Sequence, residues 1–126
     1  MKPLVFKKAK RVRHKAPERM KLHITKGDTV QVISGDDKPK RGTVLRVYPK
    51  TGRVVVDGIN LVKKHRRATQ TTEAGIVTFP APISHSKLML IDPKTNTPTR
   101  IRRQKDADGM VERIAVKSGL AIPRKR

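Results

Sequence analysis

Gly27-Asp28-Thr29-Val30-Gln31-Val32-Ile33-Ser34-Gly35-Asp36-Asp37-Lys38-Pro39-Lys40-Arg41-Gly42-Thr43-Val44 is the stretch on which the reading of this 126-residue chain turns. Residues 29–33 alternate, with Val30 and Val32 on one face and Thr29, Gln31 and Ile33 on the other, and Lys26-Gly27-Asp28 is a turn that launches them. That period of two predicts a half-buried strand. Residues 42–48 read as a second strand, Pro49-Lys50-Thr51-Gly52 as a tight turn, and residues 53–57, carrying Val54, Val55 and Val56, as a third and more buried strand. Asp57-Gly58 is a strong turn dipeptide, after which residues 59–65 set Ile59 and Leu61 against Asn60 and Val62 as a fourth strand. Four short strands in so few residues predict a small barrel. Composition agrees, since Val, Ile and Thr number 33 against only eight Ala, an excess that favours strands over helices.

Downstream, residues 69–74 are polar and irregular, Pro80-Ala81-Pro82 reads as extended and residues 87–91 as a short strand. Asp92-Pro93-Lys94-Thr95-Asn96 is turn material, and residues 99–103 and 110–116 flank Asp106-Ala107-Asp108-Gly109 as a further hairpin. No fixed-period repeat is present.

Charge is the second signal. Lys and Arg number 31 against 10 Asp and Glu, a formal +21. The excess is +7 over residues 1–20, +8 over 21–70 and +6 over 71–126, so it occurs in every segment. A chain this short that repels itself along its whole length is stabilised by a polyanion, and nucleic acid is the first candidate. The plainer alternative is a solvated surface kept for solubility. A membrane surface calls for a basic amphipathic helix with aromatic residues on one face, and the chain has no Trp and two Phe. Bulky apolar residues make up 31 of 126, enough for a small core but not for a compact sphere, so extensions held by a partner are expected. Cysteine is absent, which excludes disulfides, thiolate nucleophiles and Cys-held metal centres. Without an apolar run long enough to span a bilayer or a secretory h-region, the expectation is a soluble intracellular protein.

The quoted stretch resembles the KOW motif that opens ribosomal SH3-like barrels. With Tyr48-Pro49-Lys50-Thr51-Gly52-Arg53-Val54-Val55-Val56-Asp57-Gly58-Ile59-Asn60, Pro82-Ile83-Ser84-His85-Ser86-Lys87-Leu88-Met89-Leu90-Ile91-Asp92-Pro93 and Pro98-Thr99-Arg100-Ile101, it is similar to the bacterial-type large-subunit ribosomal proteins numbered twenty-four. The similarity covers about residues 21–120. It implies an all-β fold: a KOW-type SH3-like barrel over residues 21–70, followed by an extended C-terminal β-hairpin region over 71–126; charge adds a basic N-terminal arm over 1–20. It also implies binding to the large-subunit rRNA near its 5′ region, an early role in subunit assembly, a place beside the peptide exit tunnel of the cytoplasmic ribosome, and neighbouring ribosomal proteins as partners. Two features depart from the family pattern: Pro39 stands where Gly is expected, and it cannot donate a backbone hydrogen bond; and the basic arm precedes the usual start.

The candidate RNA-binding residues follow from charge and geometry. In the loop over 34–42, Gly35 and Gly42 lack a Cβ and let backbone N–H groups approach phosphate oxygens, Ser34 adds a hydroxyl, and Lys38, Lys40 and Arg41 add charge. Asp36 and Asp37 are expected to pin the turn by local hydrogen bonds; an ordinary hairpin loop is the alternative. Lys63, Lys64, His65, Arg66 and Arg67 leave a strand consecutively, so their side chains splay to both sides and suit two RNA segments at once. Arg100 and Arg102, in a set with Arg103 and Lys105, form a similar group. His85, Ser86 and Lys87 match a family stretch expected to face RNA, Lys87 ahead of His85. In the arm, Lys7, Lys8, Lys10, Arg11, Arg13 and Lys15 rest on charge alone, with Leu4, Val5 and Phe6 as a docking clip or a free tip. Tyr48 is expected in the core, and with so few aromatics no base-stacking platform is expected. His14, His23, His65 and His85 lie too far apart in sequence for zinc spacing, and Asp106 and Asp108 read as a solvated turn. The chain is therefore expected to be no enzyme, with no cofactor, metal or small-molecule substrate. A KOW-bearing transcription elongation or antitermination factor and a DNA-compacting cationic protein are the competing readings.

Overall fold

Val30 and Val32 point inward without exposure while Thr29 and Ile33 face solvent, as the alternation requires. The computed structural model describes residues 18–125. Along them run β1 (Thr29–Val32), β2 (Arg41–Tyr48), β3 (Arg53–Val56), β4 (Leu61–Arg66), β5 (Gly75–Pro80), β6 (Ile83–Ser84), a 3₁₀ turn (His85–Lys87), β7 (Leu88–Ile91), β8 (Pro98–Thr99), β9 (Ile101–Lys105) and β10 (Val111–Ala115). Among the described residues there is no α-helix, and the fold is the all-β, SH3-like one expected. The N-terminal arm, including Lys7, Lys8, Lys10, Arg11, Arg13, Lys15 and the Leu4-Val5-Phe6 triplet, lies outside the described residues.

One sheet carries the strand order β6-β3-β2-β1-β7-β8, and β4–β5 and β9–β10 form two separate two-stranded ribbons. The core is Ile24, Val30, Val32, Val44, Val54, Val56, Ile59, Leu88 and Leu90, with Val47, Ile83 and Ile101 packed against it. Burying each such side chain contributes roughly 1.5–3 kcal/mol. Val44 and Val47 are three apart and in a regular strand would face opposite ways. They both reach the core because the register shifts between Val44, opposite Val56, and Arg46, opposite Val55. That bulge absorbs one extra residue, and Leu45 is left exposed.

The fourth strand departs from expectation. β4 pairs with β5, from Leu61 opposite Pro80 to Arg66 opposite Gly75, and takes no part in the barrel sheet. All six of its residues are exposed. Ile59 is still core, but Asn60 takes a left-handed φ of 52° and its N–H goes to the Asp37 carboxylate at 2.8 Å, so the chain turns away from the sheet. The barrel positions that remain are taken by β6 beside β3 and β7 beside β1. The partner strand was not among the expected elements: it is supplied by residues 75–80, with Ile76, Val77, Thr78 and Phe79. Tyr48 also departs: it is only half-buried at the surface, with the Arg46 guanidinium 5.1 Å from its ring centroid, a cation–π contact in place of a core role.

The C-terminal ribbon is tied to the barrel by a buried ion pair. Arg113 is 2% exposed and Asp28 4%. Arg113 Nη1 donates to Asp28 Oδ2 and, at 2.9 Å, to the His23 carbonyl; Nη2 donates to Asp28 Oδ1 at 3.1 Å and to the Pro123 carbonyl at 3.1 Å. Asp28 Oδ2 further accepts from the N–H of Thr25 at 2.7 Å and its hydroxyl at 3.0 Å. One guanidinium thus joins the entry to β1, the ribbon and the C-terminal segment, where Ile122 N–H reaches the Arg113 carbonyl at 2.7 Å.

His23, beside this pair, makes an edge contact with the His85 ring at 6.5 Å between centroids. Burial first, then the charges of His85, Arg103 and Arg113, push its imidazole below the ordinary value of 6.5, against an opposing pull from Asp28. The folded state therefore holds fewer protons at this site than the unfolded chain, and stability rises with pH. Its contribution is complete above 6.5 and is lost as pH falls through the lower folded value. The urea midpoint is expected to drop between pH 7.5 and pH 5.5, and His23→Gln to flatten that dependence. A slope that survives the substitution assigns the effect to another group.

Candidate nucleic-acid interface

Strand pairing brings four chain segments together at one end of the barrel. β1 runs antiparallel to β7 with Val32 opposite Leu88, and the Ile33 N–H reaches the Lys87 carbonyl at 2.9 Å, so the loop that leaves β1 lies against the 3₁₀ turn that enters β7. β3 pairs with β6, Arg53 opposite Ser84. Between them opens a polar groove of about 430 Å³, lined by Ser34, Gly35, Arg53, Ser84 and Lys87, with Asp36, Asp37 and Asn60 on the loop side. Ser34, Gly35 and Lys87 were expected at such a site. Arg53 was not: it reads as the first residue of an apolar strand, and only its opposition to Ser84 carries it here. Gly35 adopts a φ of 104° with open space where a Cβ would stand, which suits close approach of a ligand oxygen.

Asp37 organises the loop, as expected of it, but over a longer reach than a local turn. Its Oδ1 receives Lys40 Nζ at 2.7 Å and its Oδ2 the distant Asn60 N–H. The Lys40 hydrogen bond, followed by that backbone N–H, holds the carboxyl below its usual range despite desolvation. Lys40 is therefore engaged within the protein, whereas Lys38 is exposed without an acidic partner among the described residues. Arg41 leans along the sheet, Nε to Gln31 Oε1 at 3.0 Å and Nη1 to Asn96 Oδ1 at 3.2 Å, and does not line the groove. Both partners are neutral, so its charge remains available.

Gly42 corrects the sequence reading. It sits opposite Val30 in the β1–β2 ladder, and flanking bonds from Val32 N–H to the Lys40 carbonyl and from Val44 N–H to the Asp28 carbonyl show that its own N–H belongs to that ladder. A Cβ there would stand 2.5 Å from the Asp57 carbonyl and 2.7 Å from Val56 Cγ1. Its missing side chain serves packing, and it offers no backbone donor to a phosphate.

His85 is turned toward the hairpin after β2: its Nδ1 lies 2.8 Å and its backbone N–H 3.0 Å from the Gly52 carbonyl. Since that carbonyl only accepts, the ring carries its proton on Nδ1. Ser86 and Ser84 share a hydroxyl bond of 2.9 Å beside the groove. Pro39 follows Lys38 through a cis bond and has no N–H to offer.

The other candidates occupy the two ribbons. On β4, cross-strand partners share a face, so Lys63 and His65 stand with Thr78 and Ile76, and Lys64 and Arg66 with Val77 and Gly75. Basic side chains therefore do project from both faces, with Arg67 just beyond, and neither strand contains an acid. Arg100 and Arg102 are exposed at and on β9, in a different sheet from the groove. Among the described residues no group of three or more His, Asp or Glu is placed to hold a metal ion.

The sequence is similar to those of known proteins. The KOW motif family matches residues 26–57, and the family described as the C-terminal domain of large ribosomal subunit protein uL24 matches residues 59–122. The large ribosomal subunit protein uL24 of Macrococcus caseolyticus is 54% identical over 102 residues, which span 80% of this chain and 99% of that protein. Its counterpart in a Geobacillus species is 52% identical over 99 residues, 78% of this chain and 95% of the relative. That of Amoebophilus asiaticus is 48% identical over 101 residues, 79% and 88%. With a barrel, a following ribbon region and a buried link all inside the matched span, the chain belongs to the uL24 family of large ribosomal subunit proteins.

Proposed function

We propose that this protein grips the large-subunit rRNA through phosphate and shape contacts, helps to start the folding of that RNA near its 5′ end, and sits beside the peptide exit tunnel with other large-subunit proteins as neighbours. The family is one of ribosomal structural proteins and not of enzymes, so the work is electrostatic: cations on separate elements bridge RNA segments that repel each other and lower the free energy of the compact form. The observation that carries the reading is the meeting of Arg53, Lys87, Ser34 and Gly35 in one groove on a chain of formal charge +21. The match over residues 59–122 weighs against a KOW transcription factor.

The test is filter binding of the full chain to a transcript of the 5′ region of large-subunit rRNA across a salt series. Arg53→Glu with Lys87→Glu is expected to weaken binding at least about tenfold and to lower the slope of log K against log salt by roughly 1.4–1.8, the share of two phosphate contacts. An unaltered slope removes the groove from the interface.

A further inference from the structure

The β9–β10 ribbon has an open side. The Asp106 N–H to Met110 carbonyl bond and the Val116 N–H to Arg100 carbonyl bond bracket it as hydrogen-bonded pairs. Such pairs alternate along an antiparallel ladder, so Arg102 and Gln104 bond to β10 while the backbone N–H and C=O groups of Ile101, Arg103 and Lys105 point the other way. The Arg113 carbonyl, opposite Arg103, confirms the alternation by turning away from β9 to Ile122. Among the described residues β10 is the only strand beside β9. A strand edge of this kind is a template for another strand.

Beside that edge, under the half of the ribbon nearer its turn, lies a cleft of about 790 Å³ bordered by Arg103, Gln104 and Lys105. Its floor is aliphatic, formed by Leu22, Ile24, Val47 and Val111. Its rim carries Lys21, Lys26, Arg103, Lys105 and Arg124, all exposed, and no acid lines it. An aliphatic floor with neither an aromatic ring nor a base-pairing edge suits apolar side chains better than nucleobases, and outward main-chain donors and acceptors are met by polypeptide, not by phosphate alone.

We propose that the β9 edge and this cleft together receive an extended segment of another protein, adding as a strand, with aliphatic side chains entering the cleft at alternate positions and acidic side chains between them answering the rim. This is strand addition, in which backbone bonds supply affinity and alternate side chains supply selectivity. It goes beyond RNA binding and does not rest on it.

The probe is a synthetic hexapeptide alternating Glu and Val, titrated into the full-length protein and followed by amide resonances and hydrogen exchange. Saturable binding is expected, with shifts and new protection at the Ile101, Arg103 and Lys105 amides. A peptide N-methylated on its strand-pairing edge, and one with Lys in place of Glu, are expected not to bind. Lys105→Glu with Arg124→Glu is expected to weaken the Glu–Val peptide roughly tenfold, and Arg103→Pro, which deletes one outward N–H on an edge that tolerates proline, to weaken it more than Arg103→Ala, which deletes only the rim guanidinium that reaches the Lys21 carbonyl at 3.3 Å. The proposal fails if the peptide does not saturate, if the N-methylated form binds equally well, if a single-stranded RNA oligonucleotide claims the same amides, or if those amides are already protected in the free full chain.

Discussion

Arg113→Ala is expected to remove about 3–5 kcal/mol of folding stability, the usual consequence of stripping one partner from a buried, hydrogen-bonded ion pair. The substitution leaves Asp28 with only Thr25 as donor and orphans the His23 and Pro123 carbonyls that Nη1 and Nη2 now satisfy. Small domains hold only about 5–15 kcal/mol in total, so the loss is visible as a large fall in the urea midpoint. It should also be uneven. Amides of residues 111–115 are expected to lose protection first, while those of the β1–β3 core persist, because the guanidinium attaches the ribbon and does not build the core. Arg113→Met combined with Asp28→Asn removes both charges and is expected to recover part of the loss, and the double-mutant cycle reads the coupling directly. A loss below about 1 kcal/mol in the single variant would mean that the pair is worth no more than a surface salt bridge. Among the described residues Arg113 Nε has no partner, so the pair is not fully satisfied, which favours recovery in the double variant.

Changing Lys63, Lys64, Arg66 and Arg67 together to Gln is expected to lower the salt slope of rRNA binding by roughly 2.8–3.6, four phosphates' worth, and affinity at physiological salt by about a hundredfold or more. Stability should move by no more than about 0.5 kcal/mol, since all of β4 is exposed and outside the barrel sheet. Lys63→Gln with His65→Gln empties one face of charge, and Lys64→Gln with Arg66→Gln the other. If the ribbon sits between two RNA segments, each pair weakens binding. If only one pair does, the ribbon lies flat on a single segment and the clasp is abandoned. The apolar cross-strand pair Val62 and Phe79, 37% exposed each, marks the same ribbon as a part that gains from burial against a partner, because a two-stranded ribbon by itself is only marginally stable.

The parts of this molecule that local chemistry governs were legible without coordinates. Alternation at residues 29–33, glycine at turn positions such as Gly52 and Gly58 with positive φ, and the run of three valines in β3 each depend on neighbours within a few residues, and each folded as read. The position of β4 was not legible. Its pattern of alternation is equally compatible with a barrel strand and with a free ribbon, and the deciding contact, Asp37 to the Asn60 N–H, joins residues 23 apart. Residues 75–79 did carry a strand signal in Ile76, Val77 and Phe79, which the flanking polar stretch obscured. Gly42 shows the converse: its lack of a side chain is visible in the sequence, but whether that space serves a phosphate or the Asp57 carbonyl depends on what packs there.

Composition and short-range pattern alone determined that the chain is a small β protein with a large cationic surplus, and its ordered motifs determined the family. Only the tertiary structure decided that Arg53 joins Ser34, Gly35 and Lys87 in one groove, that Lys40 is paired with Asp37, and that Arg113 turns inward to Asp28 across 85 residues of sequence while most of its fellow cations face solvent. The reason is physical: side-chain spacing along a strand is a property of the backbone, but which cation meets an acid, a neighbour or water is settled by strand register and burial, and those are fixed by the whole fold at once.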